Sequence, residues 1–431
     1  MRSVCLTLPT NRECAATVSA IGAEADHAAR HFGVQVHLLI LDSADPRARA
    51  AHAEVLAAER RAPGVQVHHL DETAQRAFLR RVIERSGAVE PELLLDLMLP
   101  SGVSYGACTN RAFLYAAALG CDSVHRRDSD SRYQVRDGRP VFPVHQELAA
   151  LGRRARDAAG DVSRTVLDAS RAERRVVLAG GSFVGELSVD IGGIQRLDPD
   201  VYHDVVSLWA PLDWPEELKR DLVAESFRGA GNEPFTGDLT TLGPVDPMRV
   251  DMCNISLHRE VYERVPLPPA TDTIGSDYFL LHLVHDAGLP GLLHNRHIVN
   301  YYTPERRTDS GFTAYQTRLT KFFLSMLYLN AVYDRMAEAG AALLDGAQQV
   351  RPAEVARLVR DSTRLDRAEN ERRLDLLTGC YRRLGGRYGR FTELLAERRG
   401  RLLDEAQRDM EDFALLIEDW DALTRASRGA A

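Results

Sequence analysis

Apolar positions in the first third of the chain switch repeatedly between two periods. Residues 4–8 form a compact apolar run that stops at Pro9, the pattern of a buried strand. Ala16, Val18, Ile21, Ala28 and Phe32 then recur mostly at helical spacing until Gly33, which predicts a helix over 14–32. Residues 34–41 read as a second strand, and Pro46 opens a helix at a position where proline is tolerated. Pro63-Gly64 is a turn signal, and 65–70 follows as a third strand. Helical patterns cover 72–86, 90–99 and 109–119, and a short strand over 121–127 runs into an acidic motif. Strands alternating with helices imply βαβ units and a parallel sheet that binds ligands at the carboxyl ends of its strands.

Beyond this region the pattern loosens. Residues 145–175 are charged and alanine-rich and read as a surface helix or helix pair; 176–181 is a strand meeting a glycine turn. Residues 209–250 hold Trp209, Trp214, Phe235 and several prolines and glycines with little periodicity, as a long functional loop or lid would. Residues 252–302 return to mixed strand and helix. From 308 onward the chain reads as helix, with one apolar stripe through Phe312, Tyr315, Leu319, Phe322 and Met326. A second stripe runs through Leu395, Leu402, Ala406, Met410, Phe413, Ile417 and Trp420. The helical end is expected to be a bundle packed on the preceding domain, with a homodimer through the C-terminal helices as a further expectation. The expected organisation is a domain over 1–307, divided into halves at 1–131 and 132–307, and a helical region over 308–431.

Composition narrows the classes. The chain has 431 residues, 45% of them apolar and 27% charged, enough for a sizeable core. A net charge of −8 argues against nucleic-acid binding. Nearly all positive charge is arginine, Lys219 and Lys321 being the only lysines. The six cysteines make no CxxC pair, which disfavours a zinc knuckle and fits reduced thiols in a cytoplasmic protein. No apolar run approaches the ~20 residues of a membrane span.

The acidic motif is His125-Arg-Arg-Asp-Ser-Asp-Ser131. Asp128 and Asp130, two apart in a loop, can both face one hard cation such as Mg²⁺ or Mn²⁺. That cation would neutralise a leaving diphosphate. Taken alone the pair is equally a solvated turn. Its surroundings carry more: Leu6-Thr-Leu-Pro-Thr-Asn-Arg12, Leu41-Asp-Ser-Ala-Asp45 and Tyr105-Gly-Ala-Cys-Thr-Asn-Arg-Ala-Phe113 precede it. Asp251-Met-Cys-Asn-Ile-Ser-Leu-His-Arg259 and Gly275-Ser-Asp-Tyr-Phe279 come after it.

In that order these stretches resemble GT-A-fold nucleotide-sugar glycosyltransferases, especially the inverting family 2. The resemblance implies an α/β fold, a Rossmann-like mixed sheet flanked by helices, with an all-α C-terminal extension. It implies a nucleotide-sugar donor, a small-molecule acceptor and a divalent metal, Mn²⁺ or Mg²⁺. Pro9, Asn11, Arg12 and Asp42 would lie at the nucleoside, and Asn110 and Arg111 near the phosphates, with Asp128 at both diphosphate and metal. Asp130 would complete the metal pair. Asp277 would be the catalytic base or an acceptor contact. His294 and His297 are candidates for the third metal ligand many relatives take, His297 standing about where it would fall, with Asn300 and Tyr302 as alternatives.

Each residue also has a plainly structural use. Asp42 or Asn110 can cap a helix, Asp277 can pair with an arginine, and His297 can be a surface or hydrogen-bonded histidine. The sequence departs from the family in two places. The strand before the acidic pair is polar, so His125 and Arg127 either face the pocket or mark an edge strand. Ser276 stands where the family has Glu. Gly180-Gly181-Ser182 and Gly192-Gly193 bracket Glu186 and Asp190 and suit hairpin turns better than sugar contact. Trp209 and Trp214 suit acceptor stacking and core burial equally. His258 and His282 receive no role. A sugar-nucleotide pyrophosphorylase is disfavoured, because the loop after the first strand lacks glycine and lysine. A non-catalytic nucleotide-sugar-binding protein remains the alternative.

Overall fold

A computed structural model describes residues 2–186, 191–301 and 308–430; Asp190 and Tyr302 lie outside the described residues. Its centre is a nine-stranded mixed sheet. The strand order is Val65–Asp71, Gln35–Asp42, Ser3–Thr10, Ser123–Arg127, Asn254–His258, Leu178–Gly180, Gly291–His294, Thr240–Gly243 and Arg164–Thr165. The first four run parallel. Asn254–His258 is antiparallel to both its neighbours, pairing Asn254 with Arg127 and Ile255 with Gly180. The α/β arrangement implied by the sequence is thus present, together with its helical C-terminal region.

Local chemistry sets the element ends. The helix Ala15–Phe32 stops where Gly33 adopts a left-handed backbone (φ 62°). Asp45 caps Pro46–Ala58 by accepting from the amides of Arg47 and Ala48, with Pro46 in the first turn. The helix predicted over 109–119 begins earlier, at Tyr105, because Ser104 caps it through the Ala107 amide. The surface helix or helix pair expected over 145–175 forms only at its start. That segment holds a short helix Val144–Ala150, one turn Ala155–Ala158 and an edge strand Arg164–Thr165, and its alanines pack under the sheet edge. Residues 209–250 contain a helix, Glu216–Glu225, and the strand Thr240–Gly243, so the segment is only partly loop.

Topology gathers the chain's turns at one edge. The parallel strands end at Thr10, Asp42, Asp71 and Arg127. Antiparallel Asn254–His258 starts beside Arg127, so Asp251 arrives at that same edge. Leu178–Gly180 and Gly291–His294 run parallel to each other and also finish there.

Two residues of the strand Ser123–Arg127 anchor the opposite face. Arg127 is 1% exposed and donates to Glu24 (2.8 and 3.0 Å) and Glu147 (3.0 Å). His125 Nδ1 donates to Glu147 at 2.7 Å, and Tyr133 donates its hydroxyl to Glu24. Neither sequence reading of His125 and Arg127 holds: the strand is central, and both side chains point away from the ligand edge into a buried ionic network.

The C-terminal helices Asp309–Ala339, Pro352–Ser362, Ala368–Leu384 and Gly386–Ser427 share one core with the sheet's covering helices. Phe413 packs edge-on against Phe279 at 4.8 Å, and the Trp420 indole donates to the Tyr262 carbonyl at 2.9 Å. Both predicted stripes are buried inside this chain. Among the described residues no helix is long and apolar enough to cross a membrane.

Removing Arg127 strands two buried carboxylates, a loss of about 3–5 kcal/mol. Arg127→Met is therefore expected to lower the unfolding free energy by that amount in guanidinium titration. A change under about 1 kcal/mol would show the network to be worth no more than a surface pair.

Candidate functional site

Two cavities meet at the strand edge, and Tyr105, Asp128, Asp130 and Tyr315 line both. Their chemistry differs. One is walled by Pro9, Asn11, Arg12, Leu41, Ser43, Ser104, Cys108, Arg111, Arg126 and Arg318. The other is walled by Trp209, Phe227, Phe322, Ile274, several methionines, Asp251, Asp277 and Tyr278.

The acidic pair sits on a turn closed by the Ser131 amide donating to the Asp128 carbonyl at 3.1 Å. Thr17 ties the turn down by donating to the Ser129 carbonyl. Arg12 lies 3.6 Å from Asp130. Arg126, 2% exposed, binds Asp128 at 3.0–3.1 Å and Asp277 at 2.7 Å. It thus joins a residue of both cavities to one that lines only the aromatic cavity. Burial pushes the Asp128 carboxyl up to about 6; Arg126 opposes this, while Asp130, Asp277 and Asp251 add to it. Burial likewise raises Asp277 above the usual carboxylate range, only partly offset by Arg126. Among the described residues four carboxylates thus gather on one short stretch of edge with Arg126 and Arg12 beside them, and Asp128 and Asp130 are the oxygen donors that suit a divalent cation.

The Asp277 turn depends on Gly275. Its φ is 74°, and a Cβ there would lie 2.6 Å from the Phe322 ring. Tyr278, next along, donates its hydroxyl to Asp251 at 2.7 Å.

Pro9, Asn11, Arg12 and Arg111 line the arginine cavity. Three other expected residues do not reach either cavity. Asn110 is fully buried, donating to the Leu267 carbonyl and accepting from the Leu267 amide, both at 2.8 Å. Gly106 permits that approach, since a Cβ would meet the Pro268 carbonyl at 1.9 Å. The helix end that faces the cavity is Ser104–Tyr105, not Asn110.

Asp42 is also fully buried. It accepts from His52 Nδ1 (2.8 Å), His69 Nε2 (2.7 Å) and the Ala44 amide (3.0 Å). Burial alone would raise its carboxyl, but these bonds together hold it below the usual range. Asp42, His52 and His69 are the one group of three His, Cys, Asp or Glu side chains, among the described residues, close enough to share an ion. However, His52 Nε2 accepts from the Cys14 amide at 2.9 Å, so its proton sits on Nδ1, the atom a metal would need. The group is a hydrogen-bonded support under the loop.

His297 is not brought to the acidic pair. Its Nδ1 accepts from the Ser182 amide at 3.0 Å, and burial lowers its pKa to about 4. Asn300, on the strand Ile298–Asn300, lines the aromatic cavity instead. Trp209 also lines it, packed at 5.2 Å against Phe227 and Phe322, whereas Trp214 is partly exposed.

The sequence reading missed Arg126, Asp251 and His282. The signal for Arg126 was strand alternation: if 125 and 127 share one face, 126 takes the other. Asp251 was visible in its motif but without a role.

The chain belongs to a family of unknown function (DUF6271), whose model matches residues 2–431. No curated protein matches it. Among solved structures it is similar to a mannosyltransferase, PcManGT from Pyrobaculum calidifontis, in complex with GDP-Man and Mn2+. Identity there is 13%, covering 94% of this chain and 85% of that one, with a TM-score of 0.37. It is similar at 12% identity to S. aureus TarS 1-349, covering 95% and 90%, with a TM-score of 0.35. A mycobacterial protein is similar at 14% identity, covering 77% and 74%, with a TM-score of 0.35.

Asn110→Ala is expected to destabilise the fold by about 1–3 kcal/mol, because it strands the buried Leu267 amide and carbonyl. Guanidinium titration measures this, and an unchanged unfolding free energy would contradict the structural role of the Leu267 bonds.

Proposed function

We propose that the chain is a metal-dependent glycosyltransferase moving a sugar from a nucleoside-diphosphate sugar to an acceptor hydroxyl. The observation that carries this reading is the meeting of two cavities of opposite character at Asp128 and Asp130. Arg12, Arg111 and Arg126 suit a diphosphate, for which guanidinium is a geometrically matched donor. Pro9 and Asn11 form the nucleoside end. Asp128 and Asp130 would hold Mn²⁺ or Mg²⁺, which when bound neutralises charge on the leaving diphosphate. The aromatic cavity receives the acceptor, and Asp277 takes the acceptor's hydroxyl proton. Its burial supports that role, since a carboxylate with raised pKa is the better base near neutral pH. Direct attack on the donor's anomeric carbon inverts it. Six unpaired cysteines fit a cytoplasmic enzyme.

One observation favours a second reading. The 2.7 Å pair between Arg126 and Asp277 restrains the base and would suit a nucleotide-sugar-binding protein without turnover.

A panel of UDP-, GDP- and TDP-sugars with Mn²⁺ or Mg²⁺, scored for nucleotide release, separates the two. The transferase reading predicts metal-dependent release with at least one donor. It also predicts a loss of roughly 100-fold or more in Asp130→Ala, as for removal of other charge-stabilising groups. Metal-dependent binding without release would select the binding protein, and neither binding nor release with any donor would contradict both readings.

A further inference from the structure

The aromatic cavity carries a charge pattern that the transferase reading does not require. Its walls include Trp209, Phe227, Phe322, Tyr278, Tyr315 and Tyr333. Among the described residues lining it there is no arginine or lysine, yet five carboxylates are present. Four of these are accounted for. Asp128 and Asp130 belong to the metal pair, Asp277 is bound by Arg126, and Glu225 pairs with Arg249 at 3.0 Å. Asp251 is different. It accepts from the Tyr278 hydroxyl at 2.7 Å and the Cys253 amide at 3.0 Å, and among the described residues it forms no ion pair. These two neutral donors fix its carboxylate in place without cancelling its charge. The one histidine in the lining, His282, is held neutral, its pKa lowered by burial to about 3, and stacks flat on Tyr333 at 3.7 Å.

A negative group fixed in an aromatic enclosure selects for a cation, because aromatic faces and a carboxylate both attract positive charge, and Asp251 repels an anion seated beside it. The neighbouring cavity has the reverse polarity, with Arg12, Arg111, Arg126 and Arg318 in its wall. A single sheet edge thus sorts an anionic ligand to one side and a cationic one to the other.

We propose that the ligand of the aromatic cavity is an apolar, ring-bearing molecule with a basic amine, the amine seated at Asp251 beside Tyr278. Calling it the acceptor rests on the transferase reading; its charge and shape rest on the cavity alone.

Three phenols of similar shape test this by calorimetry on the full chain with Mn²⁺ and a nucleoside diphosphate present: tyramine (cationic), 4-ethylphenol (neutral) and 3-(4-hydroxyphenyl)propionate (anionic). Tyramine is expected to bind about tenfold or more tightly than 4-ethylphenol, with the anion weakest, in line with a desolvated cation site. Asp251→Asn should abolish that preference while leaving 4-ethylphenol binding within about twofold, the scatter of a site whose shape is retained. That retained 4-ethylphenol binding guards against a folding defect in Asp251→Asn, and Tyr278→Phe, which keeps the carboxylate, should preserve the preference. Equal binding of the three phenols, no binding of any, or a preference that survives in Asp251→Asn would overturn the proposal. Binding is read here without turnover. Charge selectivity in a chain that releases no nucleotide would therefore sink only the transferase reading, and nucleotide release without selectivity would sink only this one.

Discussion

The arrangement turns on one strand residue, Arg126, buried between Asp128 and Asp277. Its guanidinium keeps two carboxylates from repelling each other and fixes the spacing between the two cavities. It can do so only because its neighbours face the other way. His125 and Arg127 close the ionic network with Glu24 and Glu147 beneath the sheet, so a polar strand can sit at the centre of the fold. Three consecutive polar residues thus serve stability on one face and ligand geometry on the other.

The rest of the chain brings walls to that point. Parallel strands deliver residues 9–12 and 128–130 to one edge, and the antiparallel strand Asn254–His258 delivers Asp251 to the same edge from the other direction. The long helix Asp309–Ala339 then supplies Tyr315, Phe322, Met326 and Tyr333 to the aromatic cavity. The helical region is therefore part of the site's enclosure as well as of the common core. Opposite polarity in the two cavities arises from which side chains wall them: Arg12, Arg111, Arg126 and Arg318, from a loop, two helices and a strand, on one side, aromatic side chains and the Asp251 loop on the other.

The alternation of strands and helices through the first 127 residues was legible because each element carries its own period and stop signal, such as Gly33 or Asp45-Pro46. The C-terminal stripes were legible for the same reason. Residues 145–175 misled because alanine and arginine favour helix locally, whereas packing under the sheet edge decided otherwise. The acidic pair and Asp277 stood out in the motif order, and Asp277 does pair with an arginine as its structural use allowed, but that the partner is Arg126 was not legible. Asn110 looked like a ligand residue because helix starts bind phosphate; the helix in fact starts earlier, at Ser104, and Asn110 faces Leu267. Asp42 looked like a base contact until its two histidine donors were in view. Partners distant in sequence decide these roles, and no local pattern records them.

Whether Asp128 and Asp130 hold the metal is the central question for this molecule. Anomalous diffraction at the manganese edge, on crystals grown with Mn²⁺ and a nucleoside diphosphate, tests it directly. One strong peak is expected between Asp128 and Asp130, with the diphosphate on the side of Arg12 and Arg126. A peak at Asp42, His52 and His69 instead, or nucleotide bound with no metal at the acidic pair, would contradict that assignment.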